Sequence, residues 1–472
     1  MLTRRPFLHG YAVVALFSLF AGEALRNTLS WYGFAVWDAA VLLVSIAVFV
    51  GLLRERASQG GVSRRPLRGL VKPRAGAVAP ALALGLFVVW CALSLGWTHY
   101  LPATLLAVFA VVTTMFAGLT ILLALGWEGF VRALSIALVA ILAMSLLFEL
   151  FVSLIVRHPV LPVFPINVVP GEKVPDAFYW SRALLFEGGR IQGILGNANL
   201  LGFVALLALI VVGCQIASRT VTRRYGYGAL ALAALIYSLS QSSTVTVATA
   251  VTVVVLVLML LAHQRRRPAL IGVGTLLVLG VIGAVAAYPF LLTLLGKSED
   301  LTGRLDIWSI VAGLFVQHPV LGWGWTSYWQ PWVEPFSHLA TRNGVVYLQA
   351  HNAYLDVAFQ LGIIGLAIFV AFLASTGVAV GRRGVISPTW FRDVAGSSTT
   401  RVGGAGSSIA EGSAVAGSAA ASWVLGKVLP GLLLAALLTQ ALAESRLLVE
   451  GNWALLVVIA LSASGAGKLT GR

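Results

Sequence analysis

The sequence predicts an all-α polytopic membrane protein, a single transmembrane domain over residues 1–472 with about twelve spanning helices. Three observations carry this expectation. The chain is 59% hydrophobic and only 10% charged, whereas soluble domains carry about a quarter charged residues. Its apolar runs are about 20 residues long without strict alternation, which suits helices and not the strands of a barrel. Its basic residues fall unevenly between alternate loops, as the positive-inside rule requires.

Spans are expected near 8–25, 31–53, 76–97, 103–126, 133–156, 200–217, 225–241, 244–262, 269–294, 352–375, 423–443 and 447–466. Arg4 and Arg5 precede the first run. With so many spans after it, that run reads as a membrane helix and not as a cleaved signal. The polar stretch SLSQSST, 238–244, separates the seventh and eighth. With both termini inside, the cytoplasmic side holds 22 Lys and Arg and the opposite side nine. The net charge of +15 is therefore read as topology and not as affinity for nucleic acid. Cys91 and Cys214 fall in apolar runs, so no disulfide framework is expected.

Three loops stand out. Residues 381–422 are rich in Gly, Ser and Ala and read as a flexible cytoplasmic loop. Residues 157–199 and 295–351 lie on the other side and contain Trp and Pro, so they are expected to be ordered. Leu305, Trp308, Val311 and Phe315 are spaced for a helix lying on the membrane surface.

Few charges are expected on that side, so each is informative. In TGRLDIWSI, 302–310, Thr302 is a plausible N-cap and Arg304 sits in the first turn. A cation there opposes the helix dipole, but a bound anion would meet both the guanidinium and free backbone amides. The plainer readings are an Arg reaching headgroups or a local pair with Asp306. GGRIQGILGNANLLG, 188–202, places Arg190 beside glycines and leads to Asn197 or Asn199 as helix cap. Arg157 reads as an interfacial anchor or an anion ligand, and Lys173 and Arg182 as solvated loop charges.

The stretch YLQAHNAYLDVAFQLGIIGLAIFV, 347–370, places polar groups inside an apolar helix. Asn352, Asp356 and Gln360 stand at i, i+4 and i+8, on one face. Such groups face a bundle interior or a wet cavity. His351 stands at the helix mouth, open to a structural or a chemical role, and Gly362 and Gly365 permit close packing. The other histidines show no HExxH or acidic pairing, and no Walker loop or dinucleotide fingerprint occurs, so no metal or other cofactor is expected.

Together these segments resemble a known family. His351-Asn352, nine residues, then Gly362-Ile-Ile-Gly365 resembles the H-[NSQ]-x9-G-x-x-G signature of bacterial O-antigen ligases. Arg190 followed by Ile194 resembles their R-x3-L motif, with Ile in place of Leu. GNANLLG resembles the G-N-P-N segment of the wider ligase/polymerase superfamily, with Ala198 in place of Pro. TGRLDIW and HPVLGWGW resemble its G-R-x3-W and P-x-x-G-x-G segments. In place of the Arg that often follows an S-x-S run, this chain has Ser243 or Thr244.

The resemblance implies a metal-independent glycosyltransferase of the polyprenyl-dependent type, in the bacterial inner membrane. Residues 157–199 and 295–351 would form a periplasmic active-site face. The donor would be O-antigen on undecaprenyl pyrophosphate and the acceptor a lipid A–core sugar. Arg190, Arg304 and Arg157 would hold the pyrophosphate. His351 would act as general base with inversion, or as a cation on phosphate. Asn352, Asp356, Asn199 and Trp308 would support them. An O-antigen polymerase or protein O-oligosaccharyltransferase would use the same donor. In a different class, an organic-anion transporter would use the same arginines to bind its cargo, but no inverted repeat or broken-helix pair is visible in the sequence.

Overall fold

The computed structural model describes residues 4–59, 78–164, 174–269, 271–272, 304–339, 341–342, 345–383 and 421–464. The expected ninth span, most of the 381–422 loop, Lys173 and Thr302 lie outside the described residues. The chain is an all-α polytopic membrane protein. Seven of its helices among the described residues are long and apolar enough to cross a membrane.

In chain order the helices are α1 (Arg4–Phe20), α2 (Gly22–Gln59), α3 (Ala79–Leu93), α4 (Leu101–Phe151), α5 (Ala198–Ala217), α6 (Arg223–Ser240) and α7 (Ser243–His263). They continue with α8 (Arg304–Gln317), α9 (Ala353–Arg383), α10 (Leu429–Gln440) and α11 (Glu450–Ala463). A two-residue-per-strand hairpin, β1 (Thr341–Arg342) and β2 (Val345–Val346), lies between α8 and α9. The fourth and fifth expected spans share α4, broken at Gly126. The polar stretch at 238–244 does separate two helices: α6 ends at Ser240, and Ser242 caps α7 by accepting from the Val245 amide.

The interior is set by helices that are apolar on all sides, as burial against other helices demands. In α11, Trp453 and the run Ala454–Ala460 are fully enclosed. Two indole N–H groups tie neighbouring helices through carbonyls: Trp453 donates to Val111 at 3.1 Å and Trp127 to Leu425 at 2.8 Å.

The segment from α8 to α9 forms its own small core on one end of the bundle. Ile307, Val311, Trp329, Phe336 and Phe359 pack there with Tyr100. The expected helix is present as α8, and Ile307 joins Val311 of the expected stripe on its buried face. Leu305 of that stripe is 41% exposed.

α9 is broken at Gly362, in its first third, and the break explains the glycine-rich motifs. Gly362 has φ 67°, and a β-carbon there would stand 2.1 Å from the Val320 carbonyl oxygen. Gly322 has φ 71°, and its β-carbon would stand 2.5 Å from the Gln360 backbone. Only glycine allows both the left-handed backbone and this approach. The inserted loop then satisfies the broken turn: Trp323 and Gly324 amides donate to Phe359 and Gln360 carbonyls at 3.2 and 2.9 Å, and Ile363 donates to Pro319 at 2.8 Å.

Candidate active site

The site gathers at the bundle end where the loops following α4, α8 and α10 meet. Asn197 caps α5, its side chain accepting from the Asn199 and Leu200 amides at 2.9 and 3.1 Å. That settles which asparagine caps and leaves the Asn199 side chain free for other partners. Arg190 is aimed by two acceptors. Its Nε donates to the Ser240 carbonyl at 3.2 Å and its Nη2 to Asn199 Oδ1 at 2.8 Å. Ser242 also donates to Asn199 Oδ1 at 2.9 Å. The serine-rich turn between α6 and α7 therefore positions Arg190.

The centre of the arrangement is Glu444, a residue that the sequence did not single out. Its Oε1 accepts from Arg304 Nη2 and from Asn199 Nδ2, both at 3.2 Å. Its Oε2 faces His351 Nδ1 at 3.0 Å and accepts from Gln349 Nε2 at 3.3 Å. Its side chain is 6% exposed, that of His351 16% and that of Arg304 19%. Burial raises the Glu444 carboxyl, but His351 and then Arg304 outweigh it and hold the group below its ordinary value. The ionised carboxylate can only accept, so Nδ1 carries a proton, and in the neutral imidazole Nε2 would keep the lone pair.

The charges do not cancel at Arg190. Its partners are a carbonyl and an amide oxygen, and Arg182 donates to its carbonyl oxygen at 3.4 Å. Burial and then the like charge of Arg182 lower its pKa. Arg182 is thus not a remote, solvated charge. An anion between Arg190 and Arg304 would relieve both effects.

His351 has φ 51°, a strained value for a non-glycine residue, held by its neighbours on both sides. Trp308 donates to the Ala350 carbonyl at 3.0 Å, and the Ala350 amide donates to Asp356 at 3.0 Å. Asn352 caps α9 through the Tyr354 and Leu355 amides and donates to the Leu442 carbonyl at 3.2 Å.

Asn352 and Asp356, expected to support the site, do not meet the imidazole; Glu444 does. Asp356 instead accepts from Trp329 Nε1 at 2.9 Å, from Ala350 and from Ser445. Gln360 accepts from the Thr326 and Ser327 amides at 2.9 and 2.8 Å. Both side chains are fully buried. The polar stripe below Asn352 therefore docks a loop in the bundle interior. A bound backbone amide satisfies a buried acceptor as well as water does.

Arg157 stands apart from this network. It ends the helix after α4 in a left-handed conformation, exposed, with Nε on the Leu154 carbonyl at 2.9 Å. The structure thus brings together Arg190, Asn199, Arg304 and His351, supports the last through Trp308, Asn352 and Asp356, and does not join Arg157 to them. Glu149 was also missed. Buried in α4, it accepts from Ser181 Oγ and from the Gln192 and Gly193 amides at 2.8, 3.0 and 2.7 Å, fixing the loop that carries Arg190. A lone acid in an expected span was the available signal for it. For Glu444 the signal was an acid in the short turn between the last two spans.

Residues 226–370 match a family model described as O-antigen ligase. The match takes in Arg304, Trp308, His351, Asn352 and Asp356, and supports an O-antigen ligase/polymerase family protein. Among curated proteins nothing matches.

Proposed function

We propose that this chain, an O-antigen ligase/polymerase family protein, transfers a glycan from undecaprenyl pyrophosphate to a sugar hydroxyl of lipid A–core. The reaction runs at the periplasmic face of the bacterial inner membrane. The observation that carries the reading is one carboxylate shared by a base and a cation: Glu444 meets His351 through one oxygen and Arg304 through the other.

The chemistry follows from that arrangement. The acceptor hydroxyl gives its proton to His351 Nε2, and its oxygen attacks the anomeric carbon from the face opposite the pyrophosphate. The bond from that carbon to the pyrophosphate oxygen breaks, its electron pair stays with the leaving group, and configuration inverts. Glu444 fixes the imidazole tautomer and stabilises the imidazolium that forms. Arg190 and Arg304 meet the growing negative charge bidentately, where a point charge would be less selective. At about 4 Å and an effective dielectric near 20, each contact is worth up to roughly 4 kcal/mol before desolvation. Arg157, exposed at the same loop's start, is assigned to the donor's outer phosphate or to headgroups.

Expression in a ligase-null Gram-negative strain tests the reading. A restored lipopolysaccharide ladder is expected. Glycan polymer that never joins lipid A–core would move the acceptor to a second glycan. With purified components the reaction should proceed in EDTA without nucleotide, and a reproducible need for a divalent cation would contradict the arginine account.

A further inference from the structure

A cavity of about 230 Å³ opens beside the site, between the start of α2 and the described parts of the loops that follow α4 and α8. Phe178, Tyr179, Trp180 and Tyr328 give it aromatic walls, and Asn27 and Arg446 give it polar ones. Trp180 is a fixed wall. Its indole N–H donates to the Ile194 carbonyl at 2.8 Å, and its ring lies 4.5 Å from that of Phe148.

Asn27 is the telling residue. It is 7% exposed, yet its side-chain amide makes no hydrogen bond among the described residues. Only its backbone carbonyl is used, by the Val163 amide at 3.0 Å. An amide that faces a cavity without a protein partner is free to bond a polar ligand there.

The charges choose the ligand's class. Arg446 is already paired with Glu23 and, at 3.7 Å, with Glu450. Arg26 pairs with the same two acids at 2.9 and 2.7 Å. Two cations face two anions, so the cavity offers no spare charge to a phosphate. An alkyl chain would leave the amide unsatisfied. A neutral ring with apolar faces and hydroxyl edges meets both the aromatic walls and the amide.

Position agrees. Asn197 lines the cavity and caps the helix whose Asn199 joins Arg190 to Glu444, and Arg446 follows Glu444 by two residues. We propose that this cavity is a saccharide-recognition subsite that holds a sugar of one of the two substrates next to the reacting centre. The proposal rests on the glycosyl-transfer reading for its substrates.

The test uses full-length protein in detergent, with KM measured separately for lipid-linked donor and for lipid A–core. Asn27→Leu is expected to raise one KM by roughly fivefold to tenfold, the worth of one hydrogen bond, with kcat at saturation unchanged. The substrate affected identifies the source of the sugar. Tyr179→Ala, in a loop, should give the same selective rise and serves if Asn27→Leu does not fold. Free oligosaccharides released from the donor and from lipid A–core, titrated by saturation-transfer NMR, should bind wild type and lose contact in both variants. Unchanged KM values and unchanged saccharide binding would overturn the subsite and leave the cavity to water. Saccharide binding through Asn27 in a wild type that transfers nothing would instead sink the transferase reading.

Discussion

Glu444 and Arg446 are two residues apart, but they belong to charge clusters of opposite design. Around Arg446, two arginines meet two glutamates, and Arg26 also lies 4.7 Å from the Phe34 ring centre. Each of these four charges has a partner, and the cluster joins α2 to the start of α11. Around Glu444, one carboxylate serves Arg304 and His351, while Arg190 and Arg182 stand near each other with no acid on Arg190. A closed cluster of buried pairs holds structure, and one with surplus guanidinium charge holds an anion. On the proposed reading, the donor's pyrophosphate binds at Glu444's side of the turn.

The sharpest break of this comparison is to remove one arginine from each cluster. Arg304→Ala should lower transfer by roughly 10²–10³-fold, with membrane insertion unchanged. Arg304→Lys should restore little, because a single ammonium lacks the planar fork. Arg26→Met should leave the transfer rate per folded molecule intact but cost about 3 kcal/mol of stability, the low end for a broken buried pair, because Glu23 and Glu450 keep contact with solvent. Thermal unfolding beside a transfer assay reads both. Loss of transfer without loss of stability in Arg26→Met would merge the two clusters.

Glu444→Gln sharpens the assignment. Transfer should fall by about 10²-fold or more as the imidazole loses its orienting carboxylate. Donor affinity should hold or rise, because Arg304 is released from its acid. Donor binding that collapses in this variant would make Glu444 a scaffold for the arginines and not the partner of a base.

A smaller effect is expected from acid. Glu444 titrates below its ordinary range in the folded protein. Such a group contributes stability that is present above its unfolded value and lost as pH falls through the folded one. The tie among Arg304, His351 and Glu444 should therefore survive mild acidification and open only in strong acid, as amide exchange near residues 349–352 would report.

The long apolar helices were legible because hydropathy is a local signal. The limits of α6 and α7 followed from the serine-rich turn, and Asn352 is a cap in the place where a cap was needed. His351, Arg190 and Arg304 were legible as cations or histidine on a face that carries few charges. What escaped depends on contacts between segments distant in the chain. Glu444 is 93 residues from His351 and 140 from Arg304. Nothing in the short turn ALAESRLL shows which loop will lie over it. Asp356 misled for a related reason. Its helical spacing puts it on the polar face, but only the inserted loop with Trp329 shows what covers that face. The glycines at 322 and 362 were visible as motif positions, whereas their mutual fit exists only once α9 breaks.

The account's central claim is that a neutral His351, oriented by Glu444, takes the acceptor's proton while the arginines hold the donor. The most direct measurement pairs the pH–rate profile of the wild type with the donor affinity of His351→Ala. The account predicts a rate that falls as the imidazole protonates, and a variant that loses transfer but binds lipid-linked donor as the wild type does. A rate that rises on acidification, together with lost donor binding in His351→Ala, would make His351 a phosphate-binding cation and contradict the claim.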